Sequence, residues 1–317
     1  MSQSQTPPGT SPEAHGVTPW ASTAPWRCLS IDVEEYFQVE AAQSAGIGRE
    51  QWDHWPSRVE RNVDLLLTLF NRHKRKGTFF ILGCIARTHP GLVRRIAAAG
   101  HEIAAHGMWH ERLHRLTPDT LRRELTDCKK LLEDQGQTPV QGFRAPTFSI
   151  VPTTAWAIDV LLEAGYQYDS SIFQVRHPSY GVPLAPDHPY LVRQSAQSPT
   201  LLEIPPLSWR VLGRNIPVAG GGYFRLLPLW FMRRGLRQAA RQGRPAVLYF
   251  HPWEFDPEMP RLPLSRTGRL RTYTNLHKAQ PRLEAIMAQH ARWTPIADML
   301  AEVRNAATQR PVFTLNP

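Results

Sequence analysis

Residues 26–34 read WRCLSIDVE and residues 59–70 read VERNVDLLLTLF. The first stretch predicts a strand. In the second, Val59, Val63, Leu66, Leu67 and Phe70 recur at helical spacing, so the chain opens with a strand–helix unit. That unit repeats downstream. GTFFIL from Gly77 predicts a strand, a helix follows near Pro90 to Ala99, HEIAAH from His101 is strand-like, and Thr117 with Pro118 marks another helix start. Leu121, Leu125, Cys128, Leu131 and Leu132 give that helix its apolar face. QGFRAP (141–146) predicts a further strand and residues 153–164 a helix. Leu227 to Gln242 predicts a helix, Ala246 to His251 a buried strand, and helices follow from Leu276 and from Pro295. Such alternation implies an α/β fold with a parallel sheet and crossover helices, open or closed into a barrel. Between Phe173 and Gly222 the pattern breaks into Pro-rich loops and short strands such as LLEIP (201–205), which predicts a loop-rich insertion or a lip around a cleft.

Composition narrows the class. With 317 residues, 42% hydrophobic and 20% charged, the chain has ordinary globular usage, which excludes collagen, coiled coil and wholesale disorder. Residues 1–25 are rich in Ser, Thr, Pro and Gly without periodicity and predict a disordered leader; 26–305 read as a single domain and 306–317 as a C-terminal tail. No apolar run reaches the roughly 18 residues of a membrane span, and no signal-peptide pattern is visible, so a cytoplasmic protein is expected, with action in the periplasm or outside the cell also compatible. The net charge of +10 comes from 37 Lys and Arg, of which only five are Lys. They are scattered rather than clustered, which argues against nucleic acid as a partner. Cys28, Cys84 and Cys128 form no CxxC pair and predict buried, reduced thiols. Oligomeric state is left open.

Chemistry gathers at the ends of four predicted strands. His106 and His110 stand four apart after HEIAA, a spacing at which two imidazoles can bite one divalent ion with a carboxylate completing the set. Read alone, they are equally two loop histidines. Period two along SIDVEE places Asp32 and Glu34 on one face, so one carboxylate can hold a metal while the other takes a proton from water. The bland alternative is a solvated acidic strand end, but a buried carboxylate requires a metal or an Arg beside it. Arg144 in GFRAPT is the candidate to orient Asp32, although any one Arg among 32 is more often a surface residue. His251, at the tip of AVLYFH, suits an acid–base group. Ligand sites of parallel α/β folds lie at strand C-terminal ends, so four such constellations together outweigh each bland reading.

At these residues the sequence resembles the polysaccharide deacetylases, the NodB-homology family of metal-dependent carbohydrate esterases. An acidic strand end, His-x-x-x-His, Arg-x-Pro and Leu-x-x-His follow in the family's order over about Trp26 to Trp253. Three departures stand out. Val33 occupies the place of the usual second Asp, so Glu34 becomes the third metal ligand, with Glu35 as its competitor. Gly107 replaces the usual Ser or Thr, and an extra residue separates Leu248 from His251, leaving Tyr249 in the Leu role. The family's Asp-Trp motif is echoed only by YDSS (168–171), which offers Asp169 as the carboxylate paired with His251. IDVEEYFQVE, RAPTFS, YDSSIF, GGGYFRLLP, HPWEFDPE and YTNLHKA are similar to the subgroup associated with exopolysaccharide clusters and the exosortase system.

The resemblance implies a distorted (β/α) barrel of the NodB-homology type, with fewer than eight strands, and N-deacetylation of amino sugars in an exopolysaccharide or its precursor. It implies Glu34, His106 and His110 as ligands of a divalent ion, zinc favoured by the donor set, with cobalt or nickel compatible. Asp32 oriented by Arg144 is then the base, His251 the acid, and the backbone N–H of Thr147 an oxyanion donor. An N-acetylated glycan is the expected partner, and Trp109, Phe148, Tyr223, Phe224 and Trp253 are candidates for sugar stacking. Two alternatives remain: hydrolysis of another non-peptide C–N bond such as a cyclic amide on the same fold, and a glycan-binding protein that has lost its metal.

Overall fold

The computed structural model describes residues 26–316; the leader expected over 1–25 lies outside the described residues. The predicted alternation is present from the start. β1 (Trp26–Val33) leads through α1 (Glu40–Gln43) to α2 (Val59–Arg72), then come β2 (Thr78–Ile81), α3 (Gly83–Thr88), α4 (Pro90–Ala98) and β3 (Glu102–Ala105). After these follow α5 (Pro118–Gly136), β4 (Gly142–Phe143), α6 (Ala157–Glu163) and β5 (Tyr168–Asp169). Helix α5 starts where its sequence says: Thr117 Oγ1 accepts from the Thr120 N–H at 3.2 Å, and Pro118 fills the first helical position, where no N–H is needed.

The 173–222 region is only partly the expected insertion. β6 (Tyr190–Arg193) and the hairpin β8 (Ser208–Val211) with β9 (Arg214–Pro217) are additions. β7 (Leu201–Glu203), from the LLEIP stretch, is instead a stave of the barrel, parallel to β5 through Tyr168–Leu202 and Asp169–Glu203. It is buried throughout, so its short apolar run carries no alternation to distinguish a barrel stave from a strand of the insertion. The chain continues through α7 (Gly221–Leu226), α8 (Leu229–Arg241), β10 (Ala246–Phe250), α9 (Arg266–Tyr273), α10 (Leu276–Met287), β11 (Arg292–Trp293), α11 (Leu300–Thr308) and β12 (Phe313–Thr314). The expected tail at 306–317 is in part regular structure: α11 runs to Thr308, and β12 pairs with β6, where Phe313 packs edge-on against Tyr190.

The sheet runs β10–β1–β2–β3–β4–β5–β7 in parallel. It then closes. Beyond β7, Pro206 bridges Val247 of β10 in parallel and the Leu207 N–H donates to the Val247 carbonyl at 2.9 Å. Among the described residues the result is a barrel of seven staves, fewer than eight, as the resemblance implied. Gly220 helps at the seam, where its backbone lies so close to β10 that a Cβ would sit 1.6 Å from the Tyr249 carbonyl oxygen.

Alternation along β1 sorts the interior. Leu29, Ile31 and Val33 face the helical layer, while Trp26, Cys28, Ser30 and Asp32 face the barrel axis, with Glu34 continuing their phase just past the strand. The axis is apolar at its floor, where Ile296, Met299, Leu300 and Val303 plug the barrel beneath Trp26, Cys28, Phe80 and Val247. It turns polar toward the strand C-termini. The three cysteines are free and buried, and burial pushes each thiol well above its usual range, as expected of inert core thiols. No helix among the described residues is long and apolar enough to cross a membrane.

Candidate active site

The phase of β1 delivers Asp32 and Glu34 to the barrel mouth, both 2% exposed. A buried carboxylate is costly without a partner, and each of the two has one. Arg144, 0% exposed, donates from Nη1 to Asp32 Oδ1 at 2.7 Å and to Ser30 Oγ at 2.7 Å. Its Nε donates to the Ser170 carbonyl at 3.0 Å and Nη2 to Ser170 Oγ at 2.9 Å, and the guanidinium lies 4.1 Å from the Phe80 ring centroid. With the fork clamped, Asp32 Oδ1 is committed and Oδ2 faces the cleft, 3.9 Å from His251 Nε2.

Glu34, His106 and His110 converge, their ligand atoms all within 4.8 Å of one another. Of the two neighbouring glutamates, Glu34 is the one beside the histidines. Glu35 points away and accepts from the backbone N–H groups of Arg58 and Val59 and from Ser57 Oγ at 2.9, 3.1 and 2.5 Å, capping the N-terminus of α2. Glu34 instead accepts from Trp253 Nε1 at 3.0 Å and lies 2.7 Å from His110 Nε2. Burial pushes the Glu34 carboxyl up, but His110, His251 and His106 outweigh it and bring it down to about 2. Burial also pulls His106 down to about 4, which keeps it neutral as a ligand must be. Its Nδ1 lies 2.8 Å from the Arg144 carbonyl, an acceptor only, so the ring proton sits there and Nε2 keeps its lone pair.

Those donors fit a divalent ion. One buried carboxylate and two buried imidazoles make a set typical of transition metals, and His110 Nδ1 has no hydrogen-bond partner among the described residues. Gly107 between them has φ 83°, a left-handed conformation that disfavours the Ser or Thr usual in the family. His110 itself sits at φ 57°.

His251 enters from the end of β10, and its partner corrects the expectation. Asp169 is not beside it, because β5 and β10 are not neighbours in the barrel. Asp169 bonds Ser171 through Oγ at 2.5 Å and through N–H at 3.2 Å, and shares β7 register with Glu203, whose carboxyl burial and Asp169 raise well above the usual range. The carboxylate that holds His251 is Glu254, whose Oε2 lies 3.1 Å from His251 Nδ1 and accepts from the His251 N–H at 3.0 Å. Glu254 Oε1 accepts from Arg225 Nε at 2.7 Å, and Arg225 also donates to the carbonyls of Arg271, Thr272 and Thr274. Burial opposes the His251 cation, yet Glu34, Glu254 and Asp32 together raise it to about 9.

Asp32, Glu34, His106, His110, Thr147, Tyr249 and His251 line one cleft of about 180 Å³, with Phe148, Tyr180, Gly221, Gly222 and Trp253 in its walls. Thr147 and Phe148 have φ of 56° and 52°, consecutive left-handed non-glycine residues, a strain of about 1–3 kcal/mol each of the kind that clusters at functional sites. Of the stacking candidates, Phe148 and Trp253 line the cleft and Tyr223 an adjoining cavity of about 440 Å³. Trp109 lines a different cavity, and Phe224 is core, packed 4.8 Å from Phe250. Sequence reasoning missed Glu254 and Arg225. The His-Pro-Trp-Glu spacing was a usable signal for Glu254, since a Pro after the imidazole starts a turn that returns the fourth residue to it.

Residues 51–168 match the family model "Polysaccharide deacetylase" and residues 170–301 match a domain of unknown function, DUF3473. Over 97 residues the chain is 34% identical to a chitooligosaccharide deacetylase of Rhizobium leguminosarum, covering 30% of this chain and 42% of that protein. It is 31% identical over 102 residues to a peptidoglycan-N-acetylglucosamine deacetylase of Bacillus cereus, covering 32% and 46%. The chain thus spans less than half the length of these relatives. In fold it is similar to a Mycobacterium smegmatis protein provisionally described as a polysaccharide deacetylase, with TM-score 0.62, 24% identity and coverage of 94% and 96%. The Puue allantoinase shares the fold at TM-score 0.56 and 16% identity, covering 90% and 92%. The polysaccharide deacetylase likeness is thus confined to residues 51–168, and the barrel runs on from them through the stretch that matches DUF3473.

Proposed function

We propose that the protein is a metal-dependent hydrolase that removes N-acetyl groups from amino sugars of a polysaccharide, with an exopolysaccharide or its precursor as the substrate class. The observation that carries this reading is the convergence, in one cleft, of the Glu34–His106–His110 triad with Asp32 on Arg144 and His251 on Glu254. The triad would hold the ion, with zinc the best fit to two imidazoles and a carboxylate and cobalt or nickel compatible. What such an ion supplies is Lewis acidity toward the acetamide carbonyl and its attacking water.

The chain's own groups do the rest. Asp32, with Oδ1 fixed by Arg144, presents Oδ2 to take the proton from water. The backbone N–H of Thr147 is assigned to the tetrahedral oxyanion. His251 keeps its Nδ1 proton on Glu254 and turns Nε2 into the cleft, where its raised basicity keeps a proton ready for the departing amine. Exopolysaccharide as substrate rests on the subgroup resemblance of IDVEEYFQVE, GGGYFRLLP and HPWEFDPE.

Metal analysis of the purified protein combined with acetate release from a panel of N-acetylated oligosaccharides tests this. About one divalent ion per chain and acetate release are expected. Glycan binding without metal or acetate release, or ring opening of a cyclic amide in its place, would overturn it.

A further inference from the structure

A second cavity, of about 560 Å³, lies at the same end of the barrel and shares no lining residue with the catalytic cleft. Two loops of the active site wall it off. Phe37 and Gln38, just after Glu34, line one side, and Trp109, between the two metal-ligand histidines, lines another. Trp52 and Trp55 supply further aromatic wall, and all three tryptophans are half-buried rather than core.

Arg49 and Arg87 also line this cavity, and both turn toward Trp109. Their guanidinium carbons stand 4.1 and 5.6 Å from its ring centroid. Among the described residues neither guanidinium has a hydrogen bond or an ion pair, although ten planar N–H donors are available between them. Most cationic side chains at this mouth are otherwise committed: Arg58 to Asp256, Arg144 to Asp32 and Arg225 to Glu254. The acidic residues of the cavity do not pair with them: Glu35 is spent on the N-terminus of α2, and Asp53, exposed like Arg49 and Arg87 themselves, forms no ion pair with either. Two like charges drawn to one ring, with their donors unused, make a site that an anion completes. Aromatic walls add the stacking surface a pyranose ring prefers, and the volume is that of a small-molecule site.

We propose that this cavity is a second glycan subsite that takes a sugar unit bearing an anionic group, a carboxylate or a phosphate, held by Arg49 and Arg87 with the ring on the tryptophans. The proposal rests on the glycan-hydrolase reading and narrows its substrate to an acidic polysaccharide or a phosphorylated sugar precursor.

The test is calorimetric titration of the full-length, metal-loaded protein at low salt with three probes. They are a glucuronate-containing N-acetylated disaccharide, N-acetylglucosamine 1-phosphate, and uncharged diacetylchitobiose. At least one anionic probe should bind about tenfold tighter than the neutral one, with the preference shrinking as salt rises. A carboxylate preference points to an acidic polymer and a phosphate preference to an activated precursor. In R49Q/R87Q the ratio of anionic to neutral affinity should fall below about threefold. Equal affinities, no binding of any probe, or a preference that survives the double substitution would overturn the subsite. Acetate release from neutral oligomers by the same preparation reports separately on the hydrolase reading, so the two can fail independently.

Discussion

Replacing Glu254 by Gln tests the least anticipated part of the site. Glu254 is fully buried and works on both sides: Oε1 meets Arg225 at 2.7 Å, and Oε2 takes the His251 backbone N–H at 3.0 Å and faces Nδ1 at 3.1 Å. An amide has one acceptor end only. Whichever way Gln turns, an NH₂ opposes either the Arg225 Nε–H or the His251 N–H groups, and the Arg225 charge loses its counter-ion. Breaking a buried pair costs about 3–5 kcal/mol; because the carbonyls of Arg271, Thr272 and Thr274 still hold the guanidinium, the lower end is expected. In a barrel of this size that corresponds to a Tm lower by roughly 5 °C.

The kinetic consequence follows from the imidazole. Glu254 is among the groups that raise His251 to about 9, so its loss lowers that value and moves the alkaline limb of the rate profile to lower pH. Acetate release from an N-acetyl sugar should fall about 10²-fold or more, whereas hydrolysis of an activated aryl ester, whose leaving group needs no proton, should fall far less. The assay is kcat on both substrates across pH, with thermal unfolding in parallel. Equal losses on amide and ester, or an alkaline limb that does not move, would refute the coupling of Glu254 to a general acid.

Other expectations are simpler to state. D32N should retain the metal but lose about two to four orders of magnitude in turnover; loss of the ion, measured by elemental analysis, would reassign Asp32 as a ligand. E34A should lose ion and activity together. E35A should still bind the ion, though less tightly, and cost about 0.5–2 kcal/mol in denaturant unfolding as it removes a helix cap; loss of the ion in E35A with retention in E34A would exchange the two roles. His101, packed between Phe70 and Phe79 with Nδ1 accepting from the Gly77 N–H at 3.1 Å, is pulled down from 6.5 to about 4 by burial and, to a lesser degree, by Lys76. The unfolded chain takes up this proton first as the pH falls, so stability should drop between about pH 6.5 and 4, by at most about 3 kcal/mol. H101N keeps an acceptor and should flatten that slope in pH-dependent melts; an unchanged slope removes His101 as its source.

The barrel was legible where local periodicity and tertiary position agree. Two-residue alternation along 26–34 is a property of the chain itself, and it puts Asp32 and Glu34 on one face, the face that lines the mouth. His106 and His110 were legible for the same reason, since four residues and one glycine suffice to bring them together. Asp169 was misassigned because its neighbour depends on which staves adjoin, and strand order is not written in any one segment. Closure at Pro206 and the place of 201–203 in the barrel wall were hidden likewise: two or three buried apolar residues predict a strand but not which strands it joins. Arg225 lies 29 residues from Glu254, too far for spacing to suggest the pair.

The consecutive glutamates tie two distant events together. Glu34 reaches to His110 in the cleft while Glu35, one peptide bond later, holds the amides of Arg58 and Val59 at the first turn of α2. Opening of that turn releases the peptide that aims Glu34, and release of Glu34 frees that turn. Hydrogen–deuterium exchange at the Arg58 and Val59 amides therefore serves as a remote gauge of the site. Their protection should rise when an ion is bound, although neither residue touches it.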